Sequence, residues 1–204
     1  MPDSCILWRR LDQPGHEAAR LVFHDPFWQL MGSAAFAQEK HPCRVEYLIV
    51  CDASWRTLHA RVSGWMGSQY AKVELLAGPI GQWRRNGKAC PGVTDCVDLD
   101  LGFSPATNLI PIRRLRLAPG QEAQAKAAWL QFPDFTLEPL AQIYRRTGET
   151  SYRYETLDGS FGSDLEVNSM GFVTRYPGRW EIEPGSRFSS QEVAAWRPKE
   201  SSPE

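Results

Sequence analysis

Apolar and polar residues alternate along most of this chain, and almost nowhere do they recur at the three- and four-residue spacing of an amphipathic helix. Cys5 to Leu11 and Ala19 to His24 read as two strands joined by the turn Asp12-Gln-Pro-Gly15. Asp25-Pro26 interrupts, and the apolar run from Phe27 to Ala37 suits either a strand or a short helix. Arg44 to Cys51 and Arg56 to Gly64 form a hairpin about Asp52-Ala-Ser-Trp55. Tyr70 to Leu76 and Gly81 to Arg85 form another across Gly78-Pro79, and Asn86-Gly87 is the strongest local turn signal. Toward the C-terminus, Leu137 to Arg146, Ser151 to Leu157, Phe161 to Asn168 and Phe172 to Tyr176 follow at short, regular spacing. Gln121 to Leu130 is rich in helix formers, yet it also alternates acceptably, and we read it as a strand.

So many short strands in one chain predict a mostly β protein built on a strongly curved antiparallel sheet, a half-barrel or open barrel with a few short helical elements. The expectation is a single domain over residues 1–196 followed by a polar, frayed tail from Arg197. Such a sheet hides one face, and a concave apolar face is where ligand pockets form.

One stretch departs from the pattern. From Asp95 to Leu117 two strand-like runs flank a loop held by Pro105 and Pro111, and both carry charge where a sheet normally buries methyl groups. In the first, Cys96, Asp98 and Asp100 share a face. In the second, read as a strand, Ile112, Arg114 and Arg116 alternate with Arg113, Leu115 and Leu117. That reading sets Arg113 on the apolar face, where an unpaired guanidinium is expensive and calls for a partner. The aspartates can supply one, as an ion-pair network between adjacent strands. An anionic or polyhydroxylated ligand is the other choice. Thr107 and Asn108 follow the Ser104-Pro105 turn, where Asn also satisfies local backbone amides.

This stretch resembles the signature of the bacterial family described as "putative glycolipid-binding". The family pattern is a DVDL run, then TP-x-TN, then LPIRRL. Here it stands as Asp98-Leu-Asp100, Ser104-Pro-Ala-Thr-Asn108 and Leu109-Ile-Pro-Ile-Arg-Arg-Leu115, with Ser104 in place of threonine and Ile110 in place of leucine. The likeness extends thinly to Trp8-Arg9, the run from Tyr47 to Trp55, Gly81-x-Trp83, Gln142-x-Tyr144 and Tyr176-Pro177. It implies a curved antiparallel sheet wrapped around short helical elements, similar to lipoprotein carriers. It also implies a ligand of amphiphilic, glycolipid-like character. On that reading Asp98, Asp100, Thr107, Asn108, Arg113, Arg114, Gln142 and Tyr144 line the ligand's polar end, while Trp, Phe and Leu side chains meet its apolar part.

Composition narrows the alternatives. A formal net charge of -1 gives no nucleic-acid footprint, and no apolar run approaches the roughly 20 residues that span a bilayer. The N-terminus shows no signal-peptide pattern, so the expectation is a cytoplasmic protein. Five cysteines, an odd number, then argue for reduced thiols. His41-Pro-Cys43 with Cys51, or His16 with His24, lacks the paired knuckles of a zinc module, so no metal and no cofactor is expected. The eight tryptophans suit either plain core or stacking platforms for a ligand. There is no nucleophile elbow, phosphate loop or dinucleotide fingerprint. Two rivals to ligand binding stay open: a hydrolase or isomerase acting through Asp98 and Asp100, and an interaction module whose sheet edge pairs with a partner or a second copy as a homo-oligomer.

Overall fold

The computed structural model describes residues 4–79 and 81–184; the tail from Arg197 lies outside them. The alternation becomes one sheet of fifteen strands. The first eight are β1 (Ser4–Arg10), β2 (Gly15–His24), β3 (Phe27–Gln38), β4 (His41–Cys51), β5 (Thr57–Met66), β6 (Gln69–Ala77), β7 (Trp83–Arg85) and β8 (Lys88–Ala89). The other seven are β9 (Asp98–Leu101), β10 (Glu122–Leu130), β11 (Leu137–Arg146), β12 (Ser151–Thr156), β13 (Gly162–Val167), β14 (Val173–Tyr176) and β15 (Trp180–Ile182). The apolar run from Phe27 is therefore strand, and so is the helix-prone run before Leu130.

Two meanders make the sheet. β1 to β8 run outward in order, β9 to β15 run back, and the first strand pairs with the last. This topology dictates the curvature. The two edge strands, β8 and β9, are consecutive in the chain. A flat sheet of this size would hold its edges about 67 Å apart at ~4.8 Å per strand. The nine steps from Ala89 to Asp98 reach at most about 32 Å. The sheet has to curl. The lead-in to β9 closes on β5, three strands in from the β8 edge, at Val97, whose carbonyl accepts from Thr57 N–H (3.2 Å) while its own N–H donates to the Lys126 carbonyl (2.9 Å). No continuous ladder joins the edges, and the sheet stays an open half-barrel. Neither edge is a long template for a partner strand: β8 has two residues, and Asp98, Leu99 and Leu101 of β9 are buried.

Correcting the strand reading of Ile112–Leu117, Leu109–Leu115 is a helix, α1, entered through a 3-10 turn at Ala106–Asn108. The parallel pair β9–β10 requires a crossover between its strands, and the helix lies within it. Pro111 is its third residue, where the backbone N–H would lack an intrahelical acceptor anyway, so proline does not interrupt it. Leu109, Ile110, Pro111 and Ile112 are all buried, and Arg116 ends the helix in the left-handed region (φ 49°). Consecutive buried residues followed by two arginines fit both the two-residue and the 3.6-residue period over a single turn, which is why alternation misleads here.

The helix joins a continuous core with residues of both meanders, among them Trp8, Leu21, Leu30, Ile49, Leu130, Tyr144 and Phe172. Across the seam of β1 and β15, fully buried Trp8 packs on Phe172 (5.7 Å) and donates its indole N–H to Val173 C=O at 2.6 Å. No helix among the described residues is long and apolar enough to cross a membrane. We expect Trp8→Phe, which leaves that carbonyl buried without its donor, to lower the unfolding free energy by about 1–3 kcal/mol. Urea denaturation with an unchanged slope would show it. Arg9→Ala, which removes an exposed pair with Glu181 in the same seam, should leave the midpoint nearly where it was.

Candidate functional site

The β9–α1 crossover carries the signature residues into the concave face of the half-barrel. Asp98, fully buried, accepts two parallel bonds from Arg114, from Nε at 2.7 Å and Nη2 at 2.6 Å. Burial pushes the Asp98 carboxyl up and the guanidinium draws it back down. Arginine keeps its proton at any accessible pH, and these short, bidentate contacts are those of an ion pair. The clamp ties the helix to the edge strand. Thr107 Oγ1 accepts from Leu101 N–H (3.1 Å), closing the turn between them.

Two further links tie the signature to the sheet. Asn108 donates through Nδ2 to the Tyr144 hydroxyl at 2.9 Å, and Tyr144 is buried against the Tyr154 ring (5.1 Å). Gln142 Nε2 donates to Asp100 Oδ2 (2.7 Å) and to the Tyr154 hydroxyl (3.1 Å). Gln142 and Tyr144 share the concave face of β11, as their spacing predicts. Burial pushes Asp100 up to about 6, against the opposing bond from Gln142.

The helix divides the hollow. At its start lies a cavity of about 420 Å³ whose wall includes Trp129, Tyr154, Phe161, Tyr176 and Trp180. Asp100, Asn108, Ser104, Arg10 and Arg179 bring polar groups to it, with Glu138 and Asp158 also in its lining. Arg179 lies over Phe161 (4.8 Å), and Arg10 lies over both Phe36 (4.9 Å) and Trp180 (5.3 Å). At the other end lies a second cavity, of about 370 Å³, and this is where Arg113 is found.

The eight residues singled out from the sequence are thus not one constellation. Asp100 and Asn108 line the aromatic cavity, with Gln142 holding Asp100 in place. Arg113 belongs to the second cavity. Asp98, Arg114, Thr107 and Tyr144 line neither and are engaged with protein partners. Among the described residues no three His, Cys, Asp or Glu side chains converge as a metal site would require.

Glu17 escaped sequence reasoning, and with it the bonds it makes with Tyr47 and Ser104. Glu17 of β2 has no exposed surface; its Oε1 accepts from the Tyr47 hydroxyl (2.6 Å) and from Ser104 Oγ (2.5 Å), and its Oε2 has no partner among the described residues. Tyr47 reaches it across β3 because position 32 is glycine: a Cβ there would lie 2.3 Å from the tyrosine oxygen. The signal was present. Glu17 falls on the face of buried Ala19 and Leu21, but beginning the strand at Ala19 leaves it outside the strand.

Two stability predictions follow from these buried charges. Arg114→Met leaves Asp98 buried and unpaired, and should cost about 3–5 kcal/mol. Combining it with Asp98→Leu should recover most of that loss, a coupling that a double-mutant cycle measures. For Glu17, burial pushes the carboxyl up to about 7 from an ordinary 4.5, despite its bonds with Ser104 and Tyr47. Below about pH 4.5 both states are protonated and there is no cost. Between 4.5 and 7 the folded state keeps a proton that the unfolded state has lost, so stability falls as pH rises, by on the order of 3 kcal/mol at the plateau above 7. Glu17→Gln should flatten that part of the stability–pH curve. A slope of the same size in the variant would show that Glu17 is not its source.

Comparison with known proteins agrees with this architecture. The crystal structure of a DUF1089 family protein from Pseudomonas aeruginosa is 33% identical, with a TM-score of 0.74 over 82% of this chain and 91% of that one. Among curated proteins nothing matches. Residues 5–181 match the family described as "Putative glycolipid-binding", and the chain belongs to that family.

Proposed function

We propose that this protein binds the polyhydroxylated headgroup of a glycolipid or related amphiphile in the aromatic cavity at the start of α1. The observation that carries the reading is Asp100, a carboxylate held by Gln142 in the lining of a cavity walled by five aromatic residues. Sugars ask for that combination. Their C–H faces stack on rings, and their hydroxyls need fixed acceptors and donors around the rim. Asp100 accepts from hydroxyls, while Arg10, Arg179 and Asn108 bring donors to the same lining. At about 420 Å³ the cavity stands near the small end of the ~300–1,000 Å³ typical of ligand sites. That suits a headgroup of one or two rings, with the acyl chains left outside. The family description supports the same ligand class.

A carboxyl raised in a cavity also suits acid catalysis, and Glu138 and Asp158 supply further carboxylates in the same lining. That observation keeps hydrolysis of the bound glycoside as the second reading.

Trp129 and Trp180 line the cavity, so binding should perturb tryptophan fluorescence. Octyl glucoside below its micelle concentration should be bound in preference to an alkyl phosphocholine of equal chain length. Asp100→Asn should weaken the glucoside by about tenfold or more, the loss expected for a hydrogen bond to a charged group. Wild-type affinity should rise with pH through about 6 as the carboxylate ionises. Equal binding of both amphiphiles, or an unchanged affinity in Asp100→Asn, would remove the headgroup reading. Release of free glucose during the titration would assign the hydrolytic one.

A further inference from the structure

The second cavity, at the far end of α1, has a different chemistry. Arg113, Arg116 and Arg146 line it together with Trp55, Tyr152 and Asn168. Arg146 is held by backbone: it donates to the carbonyls of Leu117 (2.8 Å), Gly148 (3.1 Å) and Glu149 (2.6 Å) and lies over the Tyr152 ring. Each of its three nitrogens thus meets a neutral carbonyl, which leaves its charge uncompensated. Among the described residues Arg113 has no such partners. It leaves the helix one residue before the clamp and spreads over the Trp55 ring at 5.4 Å. Among the described residues no carboxylate forms an ion pair with Arg113, Arg116 or Arg146, although Glu149 lines the same cavity.

The arginine is also held in place. Gly171, at φ +92°, suits the turn after β13, and a Cβ there would stand 3.2 Å from Arg113 Cδ, so the turn lies close against the arginine stem. In the same turn Asn168 Oδ1 accepts from the N–H groups of Met170 and Phe172, both at 3.0 Å, which leaves the Asn168 NH2 as a donor.

We infer that this cavity is an oxyanion site, taking a phosphoryl or sulfuryl group with Arg113 as its principal ligand and Arg116 and Asn168 as further donors. The inference goes beyond the headgroup reading and does not depend on it, since none of these residues lines the aromatic cavity. The oxyanion has two sources, free in solution or carried by a lipid. The rings beneath Arg113 connect the site to the surface: Trp55 stacks on Trp28 (4.6 Å), Trp28 meets Phe23 at a tilt (4.7 Å), and Phe23 and Phe27 are exposed at the tip of the β2–β3 hairpin.

Inorganic phosphate at millimolar concentration, at fixed ionic strength against chloride, should raise the melting temperature by a few degrees. Arg113→Gln should abolish the shift and Arg116→Gln, at an exposed position, should reduce it. Arg9→Ala, which removes an equal charge from an exposed position in the β1–β15 seam, outside this cavity, should retain it. The lipid source is read by flotation with phosphatidylcholine vesicles, with and without phosphatidylglycerol. Flotation that needs the anionic lipid, Arg113 and the two exposed phenylalanines (lost in a Phe23→Ser/Phe27→Ser variant) supports the site and names a lipid phosphate. A phosphate shift without flotation supports it and names a free oxyanion. No response to either probe, or a response that both arginine variants retain, would overturn it.

Discussion

The bidentate bond between Asp98 and Arg114 is the contact on which the interior of this half-barrel depends. A helix of seven residues does not persist on its own sequence, because nucleation is too costly for so few intrahelical bonds. Burial of Leu109, Ile110 and Ile112 holds α1 against the sheet, but apolar contact is not directional and would tolerate a rotated or shifted helix. A buried ion pair contributes little net stability beside an apolar alternative, and breaking it is expensive. It therefore acts mainly on placement. With Arg114 fixed on Asp98, Arg113 is turned by about 100° to the neighbouring position on the helix and reaches Trp55 instead.

Placement of the helix in turn determines what the concavity can do. Curvature is imposed by the short connection between the edge strands, and it would enclose a single trough if nothing filled it. On β12, Tyr152, Tyr154 and Thr156 follow one another on the inner face; Tyr152 lines the arginine cavity, and the other two line the aromatic one. The helix plug separates those ends. One of them gathers rings around a carboxylate with flanking donors, the other gathers guanidinium groups over rings. A neutral polyhydroxylated group fits the first and an oxyanion the second, for opposite electrostatic reasons.

The legible part of this molecule was whatever a local period encodes. Strand-length alternation marked most of the sheet, including the run from Gln121 to Leu130. There helix propensity is overridden because Ala125, Ala127, Ala128 and Leu130 bury between strands on both sides. The charged residues of the signature were legible as unusual, and their resemblance to the glycolipid-binding family was legible from their order. Their partners were not. Nothing local distinguishes an aspartate that will meet Arg114 from one that will meet Gln142 forty-two residues later. α1 failed the period test because about two turns of helix are too short to show a period, and β15, three residues long, for the same reason. Glu17 was lost to a strand boundary set four residues late.

The buried carboxyls give the aromatic cavity a physical rationale that its shape alone does not. Desolvation pushes Glu17 and Asp100 upward, to about 7 and about 6, so near neutrality each holds the folded state below the stability an apolar neighbour would allow. The same burial drives Tyr144, Tyr154 and Tyr176 well above the ordinary phenol range, which keeps their hydroxyls as donors at every accessible pH. A core built only for packing would replace these groups with hydrocarbon at little cost. Glu17, by contrast, holds Ser104 in the lining, and Gln142 holds Asp100 there. Glu17 and Gln142 thus stand one step removed from the void and orient the groups that line it. Such an arrangement makes sense where the void takes a polar occupant whose hydrogen bonds have to be met in fixed directions.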